Sequence, residues 1–213
     1  MSDATKDPAA PALASYSLWL IPSQPEQAER FQNLINELAS MELASPTFSP
    51  HITLISPIPL SMKLRDIQTK IREAVVATLP RPGQDDSPSD SSSSSGSGSG
   101  LIVKLQAAQK GDKYYQSVLA PVELPNERLS KLRKELENQF GLGNLPEYFP
   151  HLSLFYGGVS SSRRDELANI ANTKLAEFDN SGKGLKVDIE EIVIVSCVGT
   201  AEQWKVVGTE KLA

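Results

Sequence analysis

The chain has 213 residues, of which 21 are lysine or arginine and 26 are aspartate or glutamate, so its formal net charge is −5. This length is enough for one domain with a sizeable core or for two small lobes. An acidic chain without a basic run argues against long nucleic acid as a ligand, because such binding depends on neutralising many phosphates. A small phosphorylated ligand needs only one local site and is compatible with this charge.

The single cysteine, Cys197, excludes an intrachain disulfide and favours a reducing, intracellular compartment. No stretch approaches the roughly 20 apolar residues of a membrane span, and the N-terminus lacks the apolar segment of a signal peptide. We therefore expect residues 1–14 to be a disordered tail, followed by one domain over residues 15–213. The expected protein is soluble, cytoplasmic and monomeric.

The first half of the chain alternates between predicted strands and helices. An apolar run closed by Pro22 predicts a strand over residues 16–21. A 3.6-residue apolar period predicts a helix that begins at Pro25 and ends before Pro46. The same period predicts a second helix over residues 64–79, after an intervening strand.

A low-complexity segment rich in serine and glycine occupies residues 82–100. It cannot bury enough apolar surface to offset the entropy cost of ordering it, so we expect a disordered insertion. Its place between the two halves of the chain predicts a position at the edge of a lobe, away from the chemistry.

The second half begins with two apolar runs, over residues 101–107 and 114–122, that predict a hairpin. Asn126 is the predicted N-cap of a helix that ends at Gly141. After a further strand, the pattern predicts a helix over residues 160–178 and strands over residues 185–197 and 203–207.

Both histidines of the chain stand at the same place in a duplicated motif, aromatic, any residue, Pro, His, apolar, Ser or Thr. Side chains alternate along a strand, so His51 shares a face with Thr53, and His151 with Ser153. An imidazole exchanges a proton near neutral pH, and a hydroxyl donates a hydrogen bond to an oxyanion. Either histidine alone could be structural, but the duplication favours a functional pair.

With His51-Ile52-Thr53 and His151-Leu152-Ser153, the chain resembles the two-histidine phosphoesterase superfamily, in particular its plant and fungal cyclic nucleotide phosphodiesterase branch. The similarity extends to residues 16–22, 48–56, 148–156, 192–197 and 204–206. It implies an α+β, bilobal fold, in which two antiparallel sheets face a central cleft, each with one motif, and helices cover the outside.

The resemblance also implies an activity: hydrolysis of nucleoside 2′,3′-cyclic phosphates to 2′-phosphates, without a metal ion or cofactor. ADP-ribose 1″,2″-cyclic phosphate, a by-product of tRNA splicing, is the expected second substrate. His51 and His151 would divide the roles of general base and general acid, in an order that the sequence leaves open. Thr53 and Ser153 would hold the non-bridging oxygens.

Two aromatic residues are secondary candidates for substrate binding. The resemblance implies that Tyr156 reaches the phosphate or the base. Strict alternation puts Tyr156 on the opposite face from His151, so this role requires an irregular strand end near Gly157 and Gly158. Trp19 could line the cleft and stack on a base, or it could be a core tryptophan.

Other functions remain possible at this point. An RNA-processing ligase or trimming enzyme of the superfamily would use the same motifs, but it should carry a basic track for RNA. A non-catalytic nucleotide-binding domain would not need both imidazoles. Both histidines belong to the motifs, the cysteine is alone and no HExxH motif is present, so no metal site is expected. The sequence also lacks a P-loop and a GxSxG nucleophile motif. Fungal relatives also imply a possible association with the Golgi.

Overall fold

The computed structural model describes residues 13–79, 100–143, 147–179 and 182–212. The predicted tail lies outside the described residues except for Leu13 and Ala14, which belong to the first strand. The predicted insertion also lies outside them, except for Gly100.

The helices of the described residues lie close to where the apolar period predicts them. Each of them packs a stripe of apolar side chains against the core. Asn126 is the N-cap of the third helix, as predicted, and its side-chain oxygen accepts a hydrogen bond from the backbone N–H of Leu129 at 3.1 Å. The helices are α1 (Pro25–Ser40), α2 (Leu64–Thr78), α3 (Glu127–Phe140) and α4 (Ser161–Phe178).

The strands form one seven-stranded and one two-stranded antiparallel sheet, which confirms the predicted α+β class. They are β1 (Leu13–Leu20), β2 (Ile52–Ile58), β3 (Leu101–Lys104), β4 (Gln109–Lys110), β5 (Val118–Pro121), β6 (His151–Phe155), β7 (Lys186–Ile189), β8 (Glu191–Gly199) and β9 (Lys205–Lys211). The large sheet has the order β4-β5-β6-β2-β1-β8-β9, and the small sheet pairs β3 with β7. None of the helices in the described ranges is long and apolar enough to cross a membrane.

Two predicted strand arrangements are wrong in detail. The predicted hairpin partners do not pair along their length, because β3 pairs with β7 and β5 pairs with the short β4. The predicted strand over residues 185–197 is two strands, β7 and β8, which belong to different sheets. Burial explains this division, since β7 alternates between buried and exposed residues, whereas β8 is buried on both faces over residues 192–195.

The two motif strands, β2 and β6, are neighbours in the large sheet and pair through one residue pair, Ile52 with Leu152. This pair joins a half formed by β9, β8, β1 and β2 to a half formed by β6, β5 and β4. One motif therefore lies on each half of a single sheet, whereas two separate sheets with one motif each were expected. If the antiparallel register is extended by one residue, His51 lies opposite Ser153 and His151 lies opposite Thr53.

Each motif strand also carries a one-residue irregularity at the same place. Leu18 pairs with Ile55 while Trp19 pairs with Thr53, so Leu54 is an extra residue in β2. In the same way, the pairing of β5 with β6 leaves Leu154 as an extra residue between Ser153 and Phe155. Such a bulge turns the residues that follow it to the other face of the strand.

Candidate active site

A cleft of about 560 Å³ lies at the junction of the two halves of the large sheet, and both motifs contribute to its wall. It contains the six residues predicted from the sequence: His51, Thr53, His151, Ser153, Tyr156 and Trp19. The register of the single pair between β2 and β6 brings the two motifs together here.

Both imidazoles are held in the same way by their own motif. The Nδ1 atom of His51 lies 2.6 Å from the backbone oxygen of Ser49, and that of His151 lies 2.8 Å from the oxygen of Phe149. A carbonyl oxygen only accepts hydrogen bonds, so Nδ1 carries the proton in each ring. Nε2 is therefore the nitrogen that can accept a proton when the ring is neutral. The proline between carbonyl and histidine has a fixed φ, which helps to form the same bond twice.

His51 is the more enclosed of the two histidines, with 3% of its surface exposed. Its ring is stacked on Trp19, with 3.6 Å between the ring centroids. Trp19 is fixed in turn by its indole N–H, which donates to the Ser17 hydroxyl at 2.8 Å. Burial lowers the pKa of His51 to about 4, and the nearby His151 acts in the same direction, against the Ser49 carbonyl.

His151 is only partly buried, and its ring lies beside that of Phe149, with 5.4 Å between centroids. Burial also lowers the pKa of His151, and the positive charge of Lys113 lowers it further, whereas the Phe149 carbonyl raises it. Both imidazoles are therefore neutral at pH 7 in the free protein.

Tyr156 lines the cleft although strict alternation predicts the opposite face. The bulge at Leu154 sends both Leu154 and Phe155 into the core, so Tyr156 returns to the face of Ser153. The expected irregularity is therefore present, but it lies inside the strand and not at the glycines that follow. A hydrogen bond from Ser153 lowers the pKa of Tyr156, but burial has the larger effect and raises it, so the phenol keeps its proton.

Trp19 lines the cleft and is also buried, so both of the positions that the sequence allowed for it apply. Only 4% of its surface is exposed, and it belongs to a small apolar cluster with Val193, Val195 and Cys197. Its contact with His51 gives it a clear structural role, whereas stacking on a substrate base stays a prediction.

Two cationic residues of the cleft were missed by the sequence analysis. Lys113 is exposed at the rim, just before a short 3₁₀ helix over Tyr114–Gln116, and no sequence signal distinguishes it. Arg133 lies on α3 with 7% of its surface exposed. It shares the helix face of Leu129 and Leu136, and an arginine inside an apolar stripe is a signal that could have identified it.

Cys197 is part of the cleft wall, and its thiol is unreactive. Burial raises the pKa of the Cys197 thiol to about 12, so it is not a thiolate at neutral pH. Within the described ranges, no group of three or more His, Cys, Asp or Glu residues is placed to hold a metal ion. The arrangement as a whole offers two proton-exchanging nitrogens, three hydroxyls and one exposed ammonium to a small anion.

Comparison with known proteins agrees with this description. The family model for cyclic phosphodiesterase-like proteins matches residues 14–212. A 2′,3′-cyclic-nucleotide 3′-phosphodiesterase of Kluyveromyces lactis is 23% identical over 216 residues, which cover 89% of this chain and 95% of that protein.

One similar solved structure is described as a phosphoesterase. It is 12% identical to this chain with a TM-score of 0.48, and the match covers 94% of this chain and 99% of that one. Another is LigT of E. coli in complex with 3′-AMP, at 10% identity and a TM-score of 0.45, covering 95% of this chain and 99% of LigT.

The electrostatics of the cleft predict how the two histidines titrate. In an NMR titration of the free protein, the His51 ring should gain a proton only near pH 4, and the His151 ring below its ordinary pKa of 6.5. Replacing Lys113 by alanine removes a positive charge, so the midpoint of His151 should rise while that of His51 changes little.

Lys110→Ala is the matched control, because the Lys110 ammonium pairs with Asp165 at 2.6 Å and Lys110 does not line the cleft. A His51 midpoint at or above 6.5 would contradict the description of a buried, neutral imidazole.

Proposed function

The chain belongs to the family of cyclic phosphodiesterase-like proteins, and on this basis we propose that it hydrolyses nucleoside 2′,3′-cyclic phosphates to nucleoside 2′-phosphates. The observation that carries this proposal is the pair of imidazoles in one cleft, each held through Nδ1 with Nε2 available. Hydrolysis of a cyclic phosphodiester needs one proton removed from water and one delivered to the leaving oxygen. Two imidazoles supply both transfers, which supports a reaction without a metal ion.

We assign the role of general base to His51. It is the more deeply buried imidazole, and its lowered pKa of about 4 keeps it neutral at pH 7. Its Nε2 takes a proton from the attacking water as the water oxygen bonds to phosphorus. His151 is the general acid: its Nε2–H protonates O3′ as the bond from phosphorus to O3′ breaks. The negative charge of the bound phosphate raises the pKa of His151 and so favours the proton that this role requires.

The remaining polar groups of the cleft suit the phosphate. Thr53 and Ser153 present hydroxyls beside the two histidines and would donate to the non-bridging oxygens. Tyr156, which stays a neutral phenol, adds a third donor. Lys113 contributes a positive charge at the open side of the cleft, where it opposes the negative charge that develops in the transition state.

Phe149 is the aromatic residue best placed to stack on the nucleobase. It lines the cleft with 48% of its surface exposed, directly beside His151. Trp19 has a ring face covered by His51 and little exposed surface, so we infer that it acts on the substrate through His51 and not by stacking.

The surroundings of the cleft favour a nucleoside substrate over ADP-ribose 1″,2″-cyclic phosphate. Tyr114 and Tyr115 separate the cleft from a neighbouring cavity of about 640 Å³, which could take the rest of a larger substrate. That cavity is bordered by Glu202 and by Glu42, whose carboxylate is paired with Arg163 at 2.6 Å, and none of its described lining residues is basic. A pyrophosphate would find no counter-charge in its lining.

The first test is turnover of 2′,3′-cyclic AMP in the presence of EDTA, with the product identified by chromatography. We expect adenosine 2′-phosphate, and a loss of about 10²-fold or more in kcat for His51→Gln and for His151→Gln, the scale of general acid–base catalysis. Thr69→Val, on the exposed face of α2, is the control and should retain full activity.

Loss of wild-type turnover in EDTA, or full turnover by either histidine variant, would contradict the proposal. Binding of the nucleotide without turnover by the wild type would favour a non-catalytic binding domain instead.

Stacking on Phe149 predicts a change in binding more than in chemistry. Phe149→Ala should raise KM for 2′,3′-cyclic AMP about 5-fold or more, since stacking of a base on an aromatic ring contributes about 1–3 kcal/mol. Phe149→Tyr, which keeps the ring, should stay near the wild-type value. An unchanged KM for Phe149→Ala would place the base elsewhere in the cleft.

A further inference from the structure

On one side the first motif strand pairs with β1, but on the side of β6 its backbone pairing in the described residues is limited to Ile52 with Leu152. Three consecutive carbonyls of β2, those of Thr53, Leu54 and Ile55, each accept a side-chain hydrogen bond. These are the carbonyls at the bulge, where the regular ladder is interrupted. Buried carbonyls without partners are costly, so each donor stabilises the irregular strand.

Two of these donors come from the segment before the second motif strand and from α3. The Tyr148 hydroxyl donates to the Thr53 carbonyl at 3.2 Å. The Arg133 guanidinium donates through Nη1 to the carbonyl of Leu54, the extra residue of the bulge. Ser17 of β1 provides the third donor, to Ile55, from the opposite side at 3.2 Å.

Arg133 and Tyr148 also fix each other. The guanidinium lies over the Tyr148 ring, 4.7 Å from its centroid. Glu137, one turn further along α3, accepts from Arg133 Nε at 2.6 Å and orients the guanidinium. Burial raises the pKa of Tyr148, so its phenol remains a donor at any physiological pH.

Tyr148 stands three residues before His151, and Phe48 stands three residues before His51. Each of these aromatic residues contacts the other motif. Phe48 stacks on Tyr156 with 3.7 Å between centroids, while Tyr148 bonds to the backbone of Thr53. Each motif therefore contributes an aromatic residue that supports the other motif, and of these two contacts only that of Tyr148 is a hydrogen bond.

We propose that Tyr148 and Arg133 are positioning residues, which set the spacing of the two motifs by holding the Thr53 segment against the segment before His151. This inference rests on the proposed hydrolysis, in which the Thr53 hydroxyl binds the phosphate. Tyr148 and Arg133 do not touch the reacting atoms in this account. They act through Thr53, whose backbone they hold at the carbonyls of residues 53 and 54.

A double-mutant cycle tests this proposal. Tyr148→Phe removes one oxygen and keeps the ring under Arg133, and it should lower kcat about 5-fold with little change in KM, the scale of one lost neutral hydrogen bond. In the Thr53→Val background, which lacks the hydroxyl to be positioned, the same change should alter kcat less than about 2-fold. An equal loss in both backgrounds would mean that Tyr148 acts on overall stability and would overturn the proposal.

Tyr16→Phe is the matched control, because Tyr16 is also a partly buried tyrosine packed against the core, but it lies outside the cleft lining. It should leave kcat unchanged. Arg133→Lys keeps the positive charge but loses the planar guanidinium with its several N–H donors. Its effect on kcat should also be smaller in the Thr53→Val background.

A second readout does not need turnover. Amide hydrogen exchange in residues 52–58 should become faster in Tyr148→Phe, while exchange in α4 and β9 stays at the wild-type rate. Unchanged exchange in β2 would overturn the positioning role whether or not the protein is active. Faster exchange without any wild-type turnover would keep the bracing and reject the proposed hydrolysis.

Discussion

The single backbone pair between Ile52 and Leu152 is the constraint on which the cleft depends. Each of these residues follows a histidine, so the pair places both imidazoles at the same junction. A longer ladder between β2 and β6 would leave no space between the motifs. Because the pairing stops after one residue pair, the two halves of the sheet meet without closing the cleft between them.

Burial then determines the charge of the site. Both imidazoles lie where the loss of hydration disfavours their charged form, and His51 is affected most. The free protein therefore presents two neutral histidines and the exposed ammonium of Lys113, while the buried Arg133 is paired with Glu137. In the proposed reaction, the phosphate itself supplies the negative charge that lets one histidine hold a proton, so the acid is formed only when substrate is present.

The sequence predicts the residues of the site better than it predicts the residues and contacts that hold them in place. His51, Thr53, His151 and Ser153 can be found because a short motif occurs twice, and alternation along a strand places each pair on one face. The same sequence holds a signal for the bulges, since Leu54-Ile55 and Leu154-Phe155 are apolar doublets that break the alternation. The second doublet predicts that Tyr156 returns to the face of Ser153 and so to the cleft.

The features that the sequence does not predict depend on contacts between residues far apart in the chain. The partner of β3 is β7, far along the chain, whereas sequence patterns favour local hairpins, so the predicted pairing of residues 101–107 with 114–122 is wrong in detail. Lys113 has no pattern of its own, and the role of Arg133 depends on a carbonyl that only a bulge makes available. These features come from tertiary packing, to which local propensity is a weak guide.

The most direct test of the acid–base pair is the pH dependence of kcat/KM for 2′,3′-cyclic AMP, which reports on the free protein. We predict a bell-shaped pH profile: kcat/KM falls at low pH as His51 gains a proton and falls at high pH as His151 loses one. The high-pH limb should lie below pH 6.5, because the pKa of His151 is lowered. His51→Gln should lose the acidic limb of its residual activity, and His151→Gln the alkaline limb. A monotonic wild-type profile, or variants that each keep both limbs, would contradict the claim that these two histidines share the proton transfers.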